Sequence, residues 1–225
     1  MPSLDIVVCT TPIRPSPTDY PPFGSLAVIQ SLRAAGYDPY FYDIDGLRPD
    51  FDTVVKFFAD RRPDVLGISA VVSTAYGYTK RLVAAVRRVS PGTRVVLGGN
   101  MAASAEILHR LAGVDVCVIG EGELVSVNLM RALEACTGRA LDYAALGRVR
   151  GISFLKEDGS LAFTGYELSL PANEVFKPDF SIIEKYSRIS NIITNPLERS
   201  DFALDPRSGE PGRVLIYDAE CRMCV

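Results

Sequence analysis

The stretch Arg94-Val-Val-Leu-Gly-Gly-Asn-Met-Ala-Ala-Ser-Ala-Glu-Ile-Leu-His-Arg-Leu-Ala-Gly-Val-Asp-Val-Cys-Val-Ile-Gly-Glu-Gly-Glu123 decides the fold. It opens on the apolar run Val95-Val-Leu97, which predicts a strand stopped by Gly98-Gly99. Ser104 stands where a helix N-cap belongs, and apolar residues at helical spacing carry a helix to Leu111. Val114-Asp-Val-Cys-Val-Ile119 predicts the next strand, closed by Gly120-Glu-Gly-Glu123. A strand, a helix and a second strand in this order form a crossover unit, and a crossover makes the two strands parallel.

The same unit recurs on the N-terminal side. Strands are predicted at Asp5 to Cys9, Pro39 to Asp43 and Asp64 to Ser69, with helices at Gly24 to Ala35, Phe51 to Ala59 and Thr79 to Val89. Gly36 and the Ser90-Pro-Gly92 turn sit where helix ends want them. A last helix follows from Gly122 to Cys136. The strands at 64–69 and 114–119 are apolar nearly throughout, as buried parallel strands are. Five such units predict an α/β, flavodoxin-like (Rossmann-like) five-stranded parallel sheet in the order 2-1-3-4-5, with helices on both faces. Ligands of that architecture bind beyond the carboxyl ends of the strands.

After Arg139 the pattern changes. Val149 to Leu155 and Leu161 to Phe163 predict a hairpin with Asp158-Gly159 at its turn. An irregular connector with a short helix near Ser181 to Tyr186 follows, and Val214-Leu-Ile-Tyr217 reads as a strand. The expected organisation is a sheet domain over residues 1–140 and a hairpin and connector over 141–210; it is a resemblance to a known family that makes residues 211–225 the start of a further domain. No internal repeat or low-complexity tract is present.

Composition excludes several classes. The chain has 225 residues, 48% of them hydrophobic, and a net charge of -3, which is enough to close a core and too acidic for a nucleic-acid footprint. No run reaches the roughly 18 apolar residues of a membrane span, and the N-terminus has no secretory pattern. A soluble cytoplasmic protein is expected. Five cysteines without a signal peptide argue against a disulfide framework.

The loops after strands one, three, four and five should form the binding edge. The first, from Thr10 to Gly24, is long and proline-rich; loops of this length are usually functional, the alternative being a surface insertion. The third carries Ser69, Ser73 and Thr74, whose hydroxyls suit either a ligand or helix capping. The fourth opens on Gly98-Gly99, where a ligand can approach backbone closely. The fifth, Gly120-Glu-Gly-Glu123, pairs glycines with carboxylates that would also favour a helix N-terminus. Neither GxxxxGK[ST] nor, after the first strand, GxGxxG is present. Nor does the first strand end on the carboxylates of a phosphoacceptor pocket, since Thr10 and Thr11 stand there while Asp43 and Asp45 follow the second strand.

Four segments together resemble a known family: Pro22 to Tyr37, Asp64 to Ser69, Val95-Val-Leu-Gly-Gly99, and Val114 to Glu123. They are similar, in order and spacing, to the N-terminal cobalamin-binding domain of B12-dependent radical SAM proteins. The resemblance implies that a corrinoid lies against the carboxyl edge of the sheet. Ser69, Ser73 and Thr74 would meet its periphery or nucleotide tail, and Gly98, Gly99 and Asn100 would let the tail pass. Gly120, Glu121 and Gly122 would line the edge at strand five. The loop from Pro12 to Phe23, with Pro12, Tyr20 and Phe23 as its contacts, would flank the corrin's lower face.

One departure is informative. Domains that bind cobalamin base-off with histidine on cobalt carry DxHxxG after the first strand, and this loop has no His. The only histidine, His109, falls in the fourth helix and reads as a surface or boundary residue. The expectation is therefore base-off cobalamin without a protein imidazole ligand.

Cys221-Arg-Met-Cys224 admits three readings: a redox or zinc half-site, incidental cysteines, or the opening of the CxxxCxxC motif that holds a [4Fe–4S] cluster through three thiolates. In the last, Cys224 is the first cluster ligand. The resemblance then implies the cobalamin-binding part of a radical SAM enzyme, typically a methyltransferase using methylcobalamin and S-adenosylmethionine. This chain would be a fragment that binds corrinoid without catalysing, its missing partner being the radical SAM domain. The alternative is a non-enzymatic corrinoid-binding or sensory module, and a third is a scaffold with no ligand.

Overall fold

In the computed structural model, the structure describes residues 4–18, 20–136, 140–168 and 178–187. The expectations for residues 211–225, including Val214 to Tyr217, Cys221 and Cys224, lie outside the described residues.

The elements follow the predicted alternation. Strand β1 (Ile6–Thr10) leads through a long loop to α1 (Phe23–Ala34), then β2 (Tyr40–Tyr42), a short α2 (Ile44–Leu47) and α3 (Phe51–Arg61). Strand β3 (Val65–Ser69) is followed by α4 (Tyr76–Val89), β4 (Arg94–Gly98), α5 (Ala105–Ile107), β5 (Val116–Val118) and α6 (Gly122–Glu134). Then come α7 (Tyr143–Leu146), the hairpin β6 (Ile152–Leu155) and β7 (Leu161–Phe163), and α8 (Ser181–Tyr186).

The sheet order is β2-β1-β3-β4-β5-β6-β7. Its first five strands are parallel and stand in the predicted order. The strand count is corrected from five to seven. The hairpin does not merely follow the sheet; it extends it, with β6 antiparallel to β5 in the register Val116↔Phe154, Cys117↔Ser153 and Val118↔Ile152. β5 would otherwise present a bare edge of N–H and C=O groups, and β6 pairs it. Asp158 accepts from the Ser160 amide at 2.8 Å, and Gly159 takes φ +76° at the turn.

Side-chain alternation along the strands builds two cores. Val7, Cys9, Leu66, Ile68, Leu97 and Cys117 pack on one face with Phe58 of α3 and Leu82 and Val86 of α4. Ile6, Val8, Val65, Val96, Val116 and Val118 pack on the other with Leu26 and Ile29 of α1, Leu129 of α6 and Ile183 of α8. The guanidinium of Arg94 donates to the Leu133 and Cys136 carbonyls and so closes the end of α6 from below.

The helix read from Ser104 to Leu111 is a composite. A 3-10 turn covers Asn100–Ser104 and a π turn covers Leu108–Ala112, with Gly113 left-handed at its end. Ser104 makes no side-chain capping bond, because the helical turns begin before it.

Candidate functional site

The carboxyl ends of β1, β3 and β4 stand in one register row, Thr10↔Ser69↔Gly98. Their side chains share the face covered by α1 and α6, since Val8, Val65 and Val96, two or four residues earlier, belong to that core. Hydroxyl, hydroxyl and hydrogen in succession leave this end of the sheet thinly filled. A Cβ added at Gly98 would meet nothing nearer than Val118 Cβ, at 3.9 Å. Ser25, in the first turn of α1, is buried on that side with an Oγ that has no hydrogen-bond partner among the described residues.

Gly99 is needed for a different reason. Its φ is +90°, and a Cβ there would lie 2.6 Å from the Ala70 carbonyl oxygen. The loops after β3 and β4 cross closely at this point, with the Met101 amide donating to Ala70 at 3.1 Å. Gly122 is tight against α1, its Cβ position lying 2.9 Å from Val28. Gly120 takes φ +92° beside Tyr166. Thus one glycine of each motif shapes the backbone, and Gly98 leaves room.

The remaining candidates distribute as follows. Pro12, Ser69, Gly98, Glu121 and Gly122 are half-buried at the edge, while Ser73, Thr74, Gly99, Asn100 and Gly120 are exposed there. Neither Ser73 nor Thr74 caps α4. Thr74 instead donates to the Ile13 carbonyl at 2.8 Å and ties loop three to loop one, and Thr11 donates to the Ser69 carbonyl at 3.1 Å. Glu121 occupies the N-cap position of α6 without a side-chain capping bond. Tyr20 is exposed, and Phe23 packs edge-on against Phe180 at 6.4 Å, toward the α8 side.

Two further groups belong to this end of the sheet, neither of them among the site residues expected from the sequence, Tyr20 apart. Val71 (49% exposed), Val72 (40%) and Leu124 (43%) join Tyr20 (70%) as large apolar side chains left open at this edge. Val71 and Val72 fall in the loop after β3, where the expectation from sequence rests on the hydroxyls of Ser69, Ser73 and Thr74. The second group is acidic and buried. Asp43 accepts from Thr10 Oγ1 at 2.5 Å, from the Gly46 amide and from Ser187 Oγ. Asp45 pairs with Arg48 and accepts from the Thr18 amide. Asp45 holds loop one through Thr18 and Arg48, while Asp43 ties the end of β1 to α2 and to Ser187.

His109 is corrected from the surface to the core. It is 5% exposed, with Nδ1 2.8 Å from the Val114 carbonyl oxygen and Nε2 3.1 Å from Ser153 Oγ. The hairpin that joined the sheet brings Ser153 to it. A carbonyl only accepts, so Nδ1 carries the proton and Nε2 accepts from the serine hydroxyl. Both ring nitrogens are engaged, and burial lowers the pKa. The imidazole thus has no nitrogen to offer a metal. Burial also raises the thiols of Cys9 and, to about 12, Cys117, which leaves them protonated core residues. Among the described residues no cluster of three His, Cys, Asp or Glu could hold a metal ion, and no helix is long and apolar enough to cross a membrane.

A family model described as the B12 binding domain matches residues 10–130. The anaerobic magnesium-protoporphyrin IX monomethyl ester cyclase of Rubrivivax gelatinosus is 28% identical over 170 residues, 74% of this chain and 30% of the cyclase. The chain thus spans less than a third of that relative. Among solved structures, the radical S-adenosylmethionine methyltransferase TsrM from Kitasatospora setae, with cobalamin and a [4Fe-4S] cluster bound, superposes with a TM-score of 0.58 at 18% identity, over 78% of this chain and 31% of TsrM. OxsB, a cobalamin-dependent S-adenosylmethionine radical enzyme with aqua-cobalamin and S-adenosylmethionine bound, gives 0.59 at 16% identity, over 74% and 22%. These two likenesses establish a shared fold.

Proposed function

The chain belongs to the B12-binding domain family, and from that membership we propose that it holds cobalamin at the carboxyl edge of its sheet, within a longer radical S-adenosylmethionine enzyme. The observation that carries this is the room at Gly98, beside Ser69 in the register row, together with a buried Ser25 hydroxyl in the first turn of α1 that has no hydrogen-bond partner among the described residues. A nucleotide tail is a slender, polar group that fits such a slot, and Ser69 and Ser25 supply hydroxyls to it. Gly99 and Asn100 continue the slot's rim, with Gly120, Glu121 and Gly122 at its β5 side. Ser73, Thr74 and the apolar Val71, Val72, Leu124 and Tyr20 form the surface a corrin would cover.

Loop one, with Pro12, Tyr20 and Phe23, flanks the corrin's lower face. Cobalamin is base-off there with no protein imidazole, a reading supported by the engagement of both His109 nitrogens in the core. When bound, cobalamin supplies a cobalt centre able to carry and donate a methyl group. This chain's residues bind and orient it and exclude water from its lower side. Residues 1–140 are the binding domain, 141–210 the hairpin and connector, and 211–225 the start of a domain in which Cys224 is the first [4Fe–4S] ligand.

The whole protein's reaction is methyl transfer with S-adenosylmethionine, and the 225-residue chain alone binds without catalysing. Incubation with hydroxocobalamin followed by desalting tests the binding: a stoichiometric corrinoid spectrum supports it, and loss of all colour at micromolar protein overturns it. Reading the coding sequence beyond Val225 tests the rest. Completion of CxxxCxxC selects the enzyme, and a stop codon selects a non-enzymatic corrinoid-binding module.

A further inference from the structure

Among its described residues loop one contains neither helix nor strand between β1 and α1, yet four successive carbonyls, from Ile13 to Ser16, are tied down. Prolines at 12, 15 and 17 deprive it of the N–H groups that a self-contained turn would use. The donors come from outside, above all from Arg48, the left-handed residue (φ 49°, ψ 47°) that caps the end of α2. Its Nε donates to the Asp45 carbonyl at 2.6 Å. Nη1 donates to the Arg14 carbonyl at 2.8 Å and the Pro15 carbonyl at 3.2 Å. Nη2 donates to the Ser16 carbonyl at 2.6 Å and to Asp45 Oδ1 at 2.5 Å.

A guanidinium has five N–H donors, and every one is engaged. The other Asp45 oxygen accepts from the Thr18 amide at 2.9 Å, and the Asp45 amide is itself held by Thr10 Oγ1 at 3.0 Å. One ion pair thus fixes residues 14, 15, 16 and 18, and Thr74 fixes Ile13. The carbonyls of residues 13–16 are drawn toward the protein.

We propose that the Asp45–Arg48 pair is the positioning device of the corrin-facing loop: it turns the carbonyls of residues 14–16 inward, so that loop one presents a preformed surface, with those three carbonyls withheld, to the lower face of cobalamin. The inference rests on the corrinoid reading above, and it assigns a ligand-positioning role to two residues that act through the loop they hold. A loop ordered before binding costs the complex no ordering entropy, whereas a loop ordered only part of the time weakens affinity by that fraction.

The test uses the 225-residue chain in three forms: unchanged, Arg48→Gly and Arg48→Lys. Glycine keeps the left-handed backbone and removes the guanidinium; lysine keeps the charge with three donors in place of five. Each is titrated with hydroxocobalamin by visible absorption, and amide hydrogen exchange is followed in the free protein. Arg48→Gly is expected to bind about tenfold more weakly or worse, with Arg48→Lys between. Fast exchange should appear at Thr18 and its neighbours while the strand amides stay protected. Wild-type affinity in Arg48→Gly, or exchange that rises across the whole sheet, overturns the inference. An unchanged chain that binds no cobalamin overturns the corrinoid reading instead, a result visible before any variant is compared.

Discussion

His109 and Ser153, forty-four residues apart in sequence, meet in the core with Nε2 3.1 Å from Oγ. Through them the helical turn after β4 is fastened to the hairpin that closes the sheet's far edge. The imidazole is neutral there, donating from Nδ1 to the Val114 carbonyl and accepting at Nε2.

A pH dependence follows from that neutrality. Burial holds the folded pKa of His109 below its ordinary value, whereas the unfolded chain takes up the proton near about 6.5. Below that pH the unfolded state binds more protons, so stability is complete above it and falls with pH until the folded value is reached. Urea unfolding between pH 8 and pH 5 should show the decline, flattened in His109→Gln. At pH 8, His109→Leu should cost about 1–3 kcal/mol by leaving buried polar partners unpaired. A wild-type and glutamine variant with parallel pH slopes would refute the assignment.

The two adjacent glycines should separate into a structural one and a binding one. Gly99→Ala places a Cβ 2.6 Å from the Ala70 carbonyl at φ +90° and should destabilise by about 2 kcal/mol or more. Gly98→Ala meets no protein atom closer than 3.9 Å and should leave the urea midpoint at or slightly above wild type. Gly98→Val should fold and lose cobalamin retention. Retention of cobalamin by the folded valine variant would remove the slot from the site.

The open apolar rim should act on binding alone. Val71→Ser with Val72→Ser changes side chains already exposed, so stability should move by no more than about 0.5 kcal/mol. Cobalamin affinity should fall about tenfold from the apolar area no longer covered. Equal affinity in the double variant would place the corrin elsewhere.

Cysteine chemistry should divide by depth. Cys9 and Cys117 are buried in the sheet with raised pKa values, about 12 for Cys117. Iodoacetamide at pH 8 should leave both unmodified in the native protein and modify both in denaturant, as peptide mass spectrometry would show. Native labelling of Cys117 would mean that the hairpin edge opens.

What was legible in the sequence was whatever neighbouring residues settle among themselves. Short continuous apolar runs and 3.6-period faces place the five parallel strands and the long helices between them, and the regular crossover they form implies the parallel order β2-β1-β3-β4-β5. Gly98-Gly99 and the lack of a histidine after β1 were likewise visible, because each is a matter of residue type at the end of a strand. The tertiary structure decided what depends on partners far along the chain. A hairpin can stand alone or pair an open edge, and only β5's unpaired groups made β6 and β7 part of the sheet. Once they were, His109 was covered by Ser153 and ceased to be a surface residue. Loop one, stripped of donors by its prolines, takes its shape from Arg48 and Thr74, which no local pattern connects to it. Local stereochemistry fixes elements over a few residues, but the burial of a polar group and the course of a loop are set by which distant donor arrives to satisfy them.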